Sequence, residues 1–425
     1  MKVICAPKVR ALGRAEPNTL RILMYGRTDK ARLGSVGAAI PDTLRRLRLR
    51  PNERAWDLLS LSLSVVAADL SVPRGKSPDG WTREIDLTVA VQDPEFWSTQ
   101  KERIERHLRF LTTDLWSVGF KNGGHKFTPH NKVKTPTEGC ALLLSGGLDS
   151  LVGAIDLTKG KTNPFAVSQI VRGDAEKQQA FAASFGDGLR HLQLNHNTDT
   201  PGQNERSQLA RSLIFLTYGV LAATTLQRYL DGDEVTLYVC ENGFISVNPP
   251  LTDARLGSLS TRTAHPAFLP QVQELLDAAE LRVRLFNPYR FKTKGEMLVE
   301  CKDQEYLRKH AHTTTSCGRF AHFGLQHCGR CVPCLIRRAA FRHWKVPDRT
   351  GYVYSKLNKA DSDHAGFDDV RSAAMALATV ESDGIERWLG ASLASSYIDD
   401  PNQHRETVRR GIEELRRFFT AMRIK

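Results

Sequence analysis

A short glycine-containing segment after an aliphatic run constrains the fold of this chain more than any other feature. Residues 140–144 are apolar and are typical of a buried strand, and the sequence Ser-Gly-Gly-Leu-Asp-Ser follows from Ser145 to Ser150. A strand that turns through Gly146 and Gly147 into a helix presents backbone N–H groups and the positive end of that helix to an anion. The sequence therefore predicts a phosphate-binding loop between a strand and a helix.

The side chains of this loop suit a nucleotide. Ser145 and Ser150 supply hydroxyl donors, Leu148 opens the helix, and Asp149 is suited to a Mg²⁺ ion that bridges it to a polyphosphate. The competing interpretation is a plain turn in which Asp149 is a first-turn acid. The P-loop pattern G-x-x-x-x-G-K-[ST], whose lysine contacts the β- and γ-phosphates, does not occur in the chain.

Four clustered cysteines form a second motif, and they are Cys317, Cys328, Cys331 and Cys334. Their spacing, C-x10-C-G-x-C-x-x-C, is typical of a closed four-thiolate zinc site with a structural role. Disulfides are the alternative, but the first ten residues lack the features of a secretory signal, so we expect a cytoplasmic metalloprotein. An iron–sulfur cluster, or a nearby histidine replacing one thiolate, stays open.

Taken together, the two motifs resemble a known family. The Ser145–Ser150 segment resembles the pyrophosphate loop of the N-type ATP pyrophosphatases, which cleave ATP between the α- and β-phosphates. With the cysteine motif about 170 residues downstream, residues 139–344 resemble 7-cyano-7-deazaguanine synthase, the QueC family. The resemblance implies a HUP-like PP-loop fold and structural zinc beside an active site. It also implies that ATP adenylates a 7-deazapurine carboxylate, which is converted to an amide and then a nitrile.

Long segments flank this region, about 135 residues before the loop and about 80 after the cysteines. A longer QueC-like protein of this layout resembles the QatC type of bacterial anti-phage systems. Two hypotheses follow from that resemblance. In one, the chain is an ATP-dependent ligase or synthase that passes a 7-deazapurine acyl group to an amine. That amine is either ammonia or, as the added segments favour, an amine of a partner protein of a defence operon. In the other, the fold is a nucleotide-responsive binding module without full synthase activity.

Strand-like and helix-like segments alternate across the QueC-like region. This alternation predicts a doubly wound parallel α/β sheet with ligands at the carboxyl ends of its strands. We expect an N-terminal α+β module at 1–125, the PP-loop domain with its zinc knuckle at 139–345, and a helical C-terminal region at 346–425, with a linker at 121–138.

Four further residues are candidates for ligand contacts. Glu241 and Asn242 follow the fourth predicted strand, where they either read a purine-like edge or form a turn. Arg211 begins a long apolar helix and either meets a phosphate or substrate carboxylate or lies in solvent. Lys294 lies in a Thr-Lys-Gly-Glu-Met segment that resembles one in the family, and is either an α-phosphate contact or a surface lysine.

The charge of the chain is basic, with 60 Lys and Arg residues against 47 Asp and Glu residues, a net charge of +13. Such a balance is compatible with nucleic-acid binding, but also with a polyphosphate enzyme that has a basic cleft. The chain has no long run of like charge and no basic patch interleaved with aromatics, so we do not expect nucleic-acid binding. No apolar stretch is long enough to predict a membrane span.

Overall fold

The structure, a computed structural model, describes residues 1–30, 32–201, 205, 209–252, 264–357 and 369–424. Two five-stranded parallel sheets with associated helices make up most of it, followed by a helical C-terminal region. The predicted α/β fold class is confirmed. None of the described helices combines the length and apolarity needed to cross a membrane.

The first sheet lies in the N-terminal region and has the strand order β3-β2-β1-β4-β5, with every neighbouring pair parallel. Its strands are β1 (Lys2–Ala6), β2 (Thr19–Met24), β3 (Gly34–Val36), β4 (Glu84–Val91) and β5 (Leu115–Asn122). The region is therefore α/β rather than the expected α+β module. The sequence hides this because β3 is three residues long and β5 runs into the predicted linker.

The second sheet carries the pyrophosphate loop and has the order β10-β9-β6-β7-β8, again with all neighbours parallel. Its strands are β6 (Cys140–Leu143), β7 (Pro164–Gln169), β8 (His191–Leu194), β9 (Val235–Tyr238) and β10 (Val283–Phe286). The first strand of this sheet lies between the second and the fourth. Strands β7 and β8 lie on one side of β6, whereas β9 and β10 lie on the other. The order in which strands are added therefore reverses between β6 and β9, and doubly wound folds bind ligands at this position.

Helices connect and cover both sheets. In the N-terminal region they are α1 (Ile40–Arg46), α2 (Glu53–Ser71), α3 (Pro94–Thr99) and α4 (Lys101–Thr112). Around the second sheet they are α5 (Leu148–Lys159), α6 (Ala175–Ala183), α7 (Arg211–Ala223), α8 (Gln227–Leu230), α9 (Gly243–Ser246), α10 (Phe268–Ala278), α11 (Lys294–Glu300), α12 (Gln304–His310) and α13 (Val332–Trp344). The C-terminal helices are α14 (Asp369–Asp383), α15 (Ile385–Leu389) and α16 (Pro401–Ala421).

Helices α2 and α7 lie between the two sheets and join them. Helix α2 packs on the first sheet, α7 packs on the second, and the two helices contact each other. Their buried side chains belong to one hydrophobic cluster that includes strands of both sheets. A buried hydrogen bond of 2.7 Å between the hydroxyls of Ser62 and Thr217 crosses the helix interface. The N-terminal region and the PP-loop region therefore share a core across the expected boundary.

The C-terminal helices pack against α13 and α9 through a second cluster of buried apolar residues. The apolar face expected for the last helix is found there, since Val408, Ile412, Leu415 and Phe418 of α16 are buried. Helix α14 is described from Asp369, and residues 358–368 lie outside the described residues. Helix α16 thus lies against the region that carries the loop.

Candidate functional site

The pyrophosphate loop connects β6 to α5 in a compact turn. Gly146 has a φ of +85°, a conformation that a side chain would strain. The backbone N–H of Gly147 donates to the Ser145 hydroxyl at 3.2 Å, and the hydroxyls of Ser145 and Ser150 lie 3.1 Å apart. Gly147 caps α5 without a side-chain hydrogen bond, so the first N–H groups of this twelve-residue helix have no intrahelical partner. This is the geometry of an anion-binding helix start.

A cavity of about 630 Å³ opens in front of this loop. Its walls come from the loop, the carboxyl ends of β7 and β9, the start of α7 and the segment before the cysteines, and they include Leu143, Ser145, Gly147, Ser150, Gln169, Val171, Asp174, Arg211, Phe215, Glu241, Thr315 and Cys317. The volume lies within the usual range for a small-ligand site. Apolar side chains and a few polar groups together suit a nucleotide base and its phosphates.

Arg211, a candidate anion contact from the sequence, is the cation among the described residues that line this cavity. Its guanidinium makes no hydrogen bond or ion pair with any residue that the structure describes. Burial lowers the pKa of Arg211, and the nearby Asp174 carboxylate opposes that effect. The N-terminal region supports this residue, because the buried Asp69 carboxylate accepts a 3.0 Å hydrogen bond from the backbone N–H of Ala210.

Asp149, Lys294 and Asn242 form a buried cluster behind the loop. The Lys294 ammonium pairs with one Asp149 carboxylate oxygen. The other oxygen accepts hydrogen bonds from the Asn242 side chain at 2.7 Å and backbone at 3.1 Å. Neither Asp149 nor Lys294 is among the described residues that line the cavity. Both carboxylate oxygens of Asp149 therefore have partners within the protein. Coordination of Mg²⁺ by Asp149 and contact of Lys294 with an α-phosphate stay predictions.

The remaining predicted site residues also divide between those that line the cavity and those that lie behind the loop. Glu241 lines the cavity, and its backbone is fixed by Asn287, whose side chain donates to the Glu241 carbonyl at 2.8 Å. Asn242 is buried, caps α9 and donates a hydrogen bond to Asp149, and it is not among the described residues that line the cavity. The Leu148 side chain lies in a hydrophobic cluster, which leaves its backbone N–H to face an anion.

Gln169, Asp174 and Thr315 are among the cavity residues that were not identified from the sequence. The Thr315 hydroxyl donates to Asp174 at 2.6 Å and accepts from Lys177 at 2.7 Å. The Thr315 backbone N–H also donates to the Gly146 carbonyl at 3.0 Å, which joins this cluster to the loop. Asp174 therefore brings a carboxylate to the cavity wall beside the loop, where the sequence analysis expected Asp149. A sequence clue existed, because Asp174 follows the second strand of the sheet and so lies at a carboxyl end.

The four cysteines converge as predicted, and all four are buried. Their sulfur atoms lie within 4.8 Å of one another, with 3.8 Å between Cys317 and Cys331 and 4.0 Å between Cys328 and Cys334. A tetrahedral zinc ion with Zn–S bonds of about 2.3 Å holds its sulfurs about 3.8 Å apart. A four-iron cluster ligates each thiolate to a different iron and spaces the sulfurs more widely. The geometry thus fits a single ion such as zinc.

The cysteine cluster is joined directly to the cavity. Cys317 lines the cavity, and the buried Arg337 of α13 donates to the hydroxyls of Thr314 at 2.8 Å and Ser316 at 3.0 Å. The segment between the two sites is therefore held from the helix that also carries Cys334. A metal ion bound by the four thiolates would fix one wall of the cavity.

The fold and site define an α/β class of protein in which a glycine-containing loop between a strand and a helix lies beside a four-cysteine knuckle. Over 92 residues the chain is 35% identical to a 7-cyano-7-deazaguanine synthase of Paracoccus denitrificans (strain Pd 1222). The match covers 20% of this chain and 36% of that protein, so the chain spans about a third of its relative's length. No protein-family model and no solved structure matches the chain. The resemblance to the synthase is thus supported over a fifth of the chain, and the QatC type stays a prediction.

Proposed function

We propose that the chain is an enzyme that uses ATP to adenylate the carboxylate of a 7-deazapurine and then transfers the acyl group to an amine. One observation carries the proposal, namely that the pyrophosphate loop and the four-cysteine knuckle border the same cavity through Ser145, Gly147 and Cys317. The similarity to a protein named 7-cyano-7-deazaguanine synthase supports the choice of substrate class.

The cavity residues have distinct roles in this reaction. A carboxylate oxygen of the deazapurine attacks the α-phosphorus of ATP, and the bond to pyrophosphate breaks. The Ser145 and Ser150 hydroxyls and the N–H groups at the start of α5 hold the leaving pyrophosphate. Arg211 binds the substrate carboxylate or a phosphate, since its guanidinium has no partner in the described part of the chain. The amine nitrogen then attacks the acyl carbon, AMP leaves, and the nitrogen loses a proton.

The acceptor is proposed to be an amine of a partner protein in an anti-phage system. An acyl adenylate hydrolyses readily, so an acceptor must be held near it before activation. The flanking regions provide surface for such a partner, although the contact of Asp69 with Ala210 gives the N-terminal region a role in the site as well. Ammonia is the alternative acceptor, with a free amide or nitrile as product.

The test is to incubate the intact protein with ATP, Mg²⁺ and 7-carboxy-7-deazaguanine and to measure AMP and pyrophosphate by chromatography. We expect AMP to form only when the deazapurine acid is present. The matched control is the same 7-deazapurine without the carboxylate. Mass spectrometry of proteins encoded beside this chain then detects an acyl adduct. AMP formation that is independent of the acid contradicts the substrate assignment.

A nucleotide-responsive binding module is the second candidate, and the Asp149–Lys294 pair favours it, because the Lys294 ammonium already neutralises the carboxylate to which the sequence assigns a metal ion. The two candidates differ in the same experiment. A module binds ATP in a calorimetric titration but forms no AMP with any deazapurine acid.

A further inference from the structure

Glu414 of the C-terminal helix α16 is buried against the start of α11. Its side chain is 7% exposed, and its carboxylate accepts hydrogen bonds from the Thr293 hydroxyl and the Gly295 backbone N–H. His343 of α13 lies 3.6 Å from the same carboxylate. A buried carboxylate is costly unless its oxygens are satisfied, so these contacts are specific ones.

Gly295 allows the carboxylate to approach the backbone of α11. A Cβ atom at this position would lie 2.5 Å from one Glu414 oxygen and 2.7 Å from the other. Any larger residue would therefore displace the carboxylate. The close approach fixes the C-terminal helix to the two residues on either side of Lys294.

Direct contacts lead from Lys294 to the pyrophosphate loop. The Lys294 ammonium pairs with Asp149 in the first turn of α5. Ser150 follows Asp149, and its hydroxyl accepts a 3.2 Å hydrogen bond from the Ser145 backbone N–H. Both serines line the cavity. Moving Lys294 therefore moves the carboxylate that anchors the start of α5.

We propose that Glu414 is a positioning residue through which the C-terminal helix sets the Lys294–Asp149 pair and, with it, the geometry of the pyrophosphate loop. The inference rests on the proposed function only in that the loop binds ATP. It gives the C-terminal region a part in nucleotide binding, although none of the C-terminal helices lines the cavity in the described residues.

The charge of Glu414 gives the proposal a pH signature. Burial, reinforced by Glu296, raises the pKa of Glu414 to about 7, and its hydrogen bonds and Arg410 oppose this shift. Glu296, Arg410 and His343 interact with it electrostatically. The other charged groups that line the same surface cavity are Glu381, Glu386, Arg409, Glu413, Arg416 and Arg417. As pH falls through 7 the carboxylate gains a proton and loses accepting capacity for Thr293 and Gly295. ATP binding should therefore weaken on the acid side of 7.

Two variants of the full chain and one control test the proposal by calorimetric titration with ATP between pH 6 and 8.5. Glu414→Gln should weaken ATP binding about tenfold at pH 8, which is the loss of one charged hydrogen-bond network, and should remove the pH dependence near 7. Gly295→Ala, which pushes the same carboxylate away from the other side, should weaken binding similarly. Glu413→Gln alters a half-exposed neighbour that pairs with Arg416 and Arg417, and should bind like the wild type.

The outcomes separate this proposal from the proposed enzymatic function. Wild-type ATP affinity in a folded Glu414→Gln variant at every pH overturns it. If that variant does not fold, wild-type affinity in Gly295→Ala overturns it instead. Wild-type protein that binds ATP but forms no AMP contradicts the enzymatic function alone, and the difference in affinity still decides the role of Glu414. Wild-type protein that does not bind ATP contradicts both.

Discussion

The two sheets of this molecule have the same strand order, with the third, second, first, fourth and fifth strands side by side, but their switch points are filled differently. In the second sheet the loops after β6 and β9 border a cavity of about 630 Å³. In the first sheet the equivalent loops follow β1 and β4. The same topology therefore serves two purposes, and the residues after the strands decide which.

A carboxylate occupies the switch point of the first sheet. Asp57 of α2 accepts backbone hydrogen bonds from Gln92 at 2.8 Å and Asp93 at 3.1 Å, and another from the Trp97 indole at 3.1 Å. Gly124 packs against the end of β4, and a Cβ atom at Gly124 would lie 2.3 Å from the carbonyl carbon of Val91. The backbone donors that could meet a ligand are thus satisfied by the protein itself.

In the second sheet the first N–H groups of α5 have no side-chain cap, and the preceding loop has different residues from its equivalent in the first sheet. After β6 the chain has Ser145, Gly146 and Gly147, whereas after β1 it has Pro7 and Lys8. Proline lacks an N–H group, and the two glycines allow a backbone path that faces an anion. From this comparison we expect the first sheet to support the fold and the second sheet to carry the proposed chemistry.

The largest expected effect comes from deleting residues 1–122, which tests whether the first sheet is separable. A cavity of about 20 Å³, lined by Leu58, Leu61, Leu213 and Leu216 among others, lies in the closely packed region of α2 and α7. Burying each leucine contributes about 1.5–3 kcal/mol, and deletion would expose those on α7. We expect no cooperative thermal transition and mostly insoluble protein. A truncated chain that melts cooperatively and binds ATP would show that the expected boundary near residue 125 is a true domain boundary.

The next largest effect should follow loss of a cysteine from the four-cysteine cluster. The described part of the first sheet has no such cluster. Cys331→Ala removes one of four ligands, and binding free energy at such a site is folding free energy. We expect about one zinc per wild-type chain by elemental analysis, and little folded protein from the variant. Cys240→Ala is the control, because burial raises the pKa of this thiol and it lies outside the cluster. Wild-type protein that is folded without metal, or that contains iron, contradicts the zinc assignment.

A matched pair of substitutions tests the division of labour between the two switch points. Ser145→Ala removes an exposed hydroxyl that borders the cavity, and should slow AMP formation about 100-fold with little change in melting temperature. Asp57→Asn should instead lower the free energy of unfolding by about 1–3 kcal/mol, because an amide cannot accept from all three donors. Its ATP affinity should equal that of the wild type. A catalytic defect in folded Asp57→Asn would assign the first sheet a part in the chemistry.

Asp149→Ala is a poorer probe of the loop than the sequence suggests. Without structural information, the substitution is expected to change charge placement and leave the fold intact. The structure pairs Asp149 with a buried lysine, so the variant leaves an unpaired buried charge, which costs about 3–5 kcal/mol. Loss of activity in this variant would therefore mix instability with chemistry.

The sequence predicts the second sheet far better than the first, for physical reasons. Strands such as His191–Leu194 and the glycine loop have local signatures, since apolar patterning and turn chemistry act over a few residues. Strand β5 has a weaker signature, because the apolar Leu115 lies at an exposed position, Gly119 interrupts the strand and the polar Lys121 and Asn122 end it.

Contacts between distant residues set the limit at the site as well. The sequence places Asp149 and Lys294 near a nucleotide, but their mutual pairing joins positions 145 residues apart. The same holds for Glu414 and Thr293, which are 121 residues apart. The cysteine cluster is the exception, because three of its four ligands fall within seven residues and the required geometry is built into their spacing.

The smallest expected effect concerns pH, and it compares one histidine from each half of the molecule. Burial lowers the pKa of His107 in α4 to about 3 and that of His191 in β8 to about 4. The unfolded chain binds a proton near pH 6.5 that the folded protein excludes. These histidines therefore leave the free energy of unfolding unchanged above pH 6.5, and they lower it as the pH falls from 6.5 toward 4. For His107 the loss at pH 5 is about 2 kcal/mol.

The variants His107→Leu and His191→Asn should both reduce this pH dependence, but they should differ at pH 8. His107 has an Nε2 atom without a hydrogen-bond partner among the described residues, so leucine should not lower stability there. The Nε2 atom of His191 lies 2.7 Å from the Ser168 hydroxyl, and its loss should cost about 1 kcal/mol. Urea unfolding at pH 5 and pH 8 measures both differences. If His107→Leu retains the wild-type loss between these two pH values, another group causes the acid sensitivity of the N-terminal half.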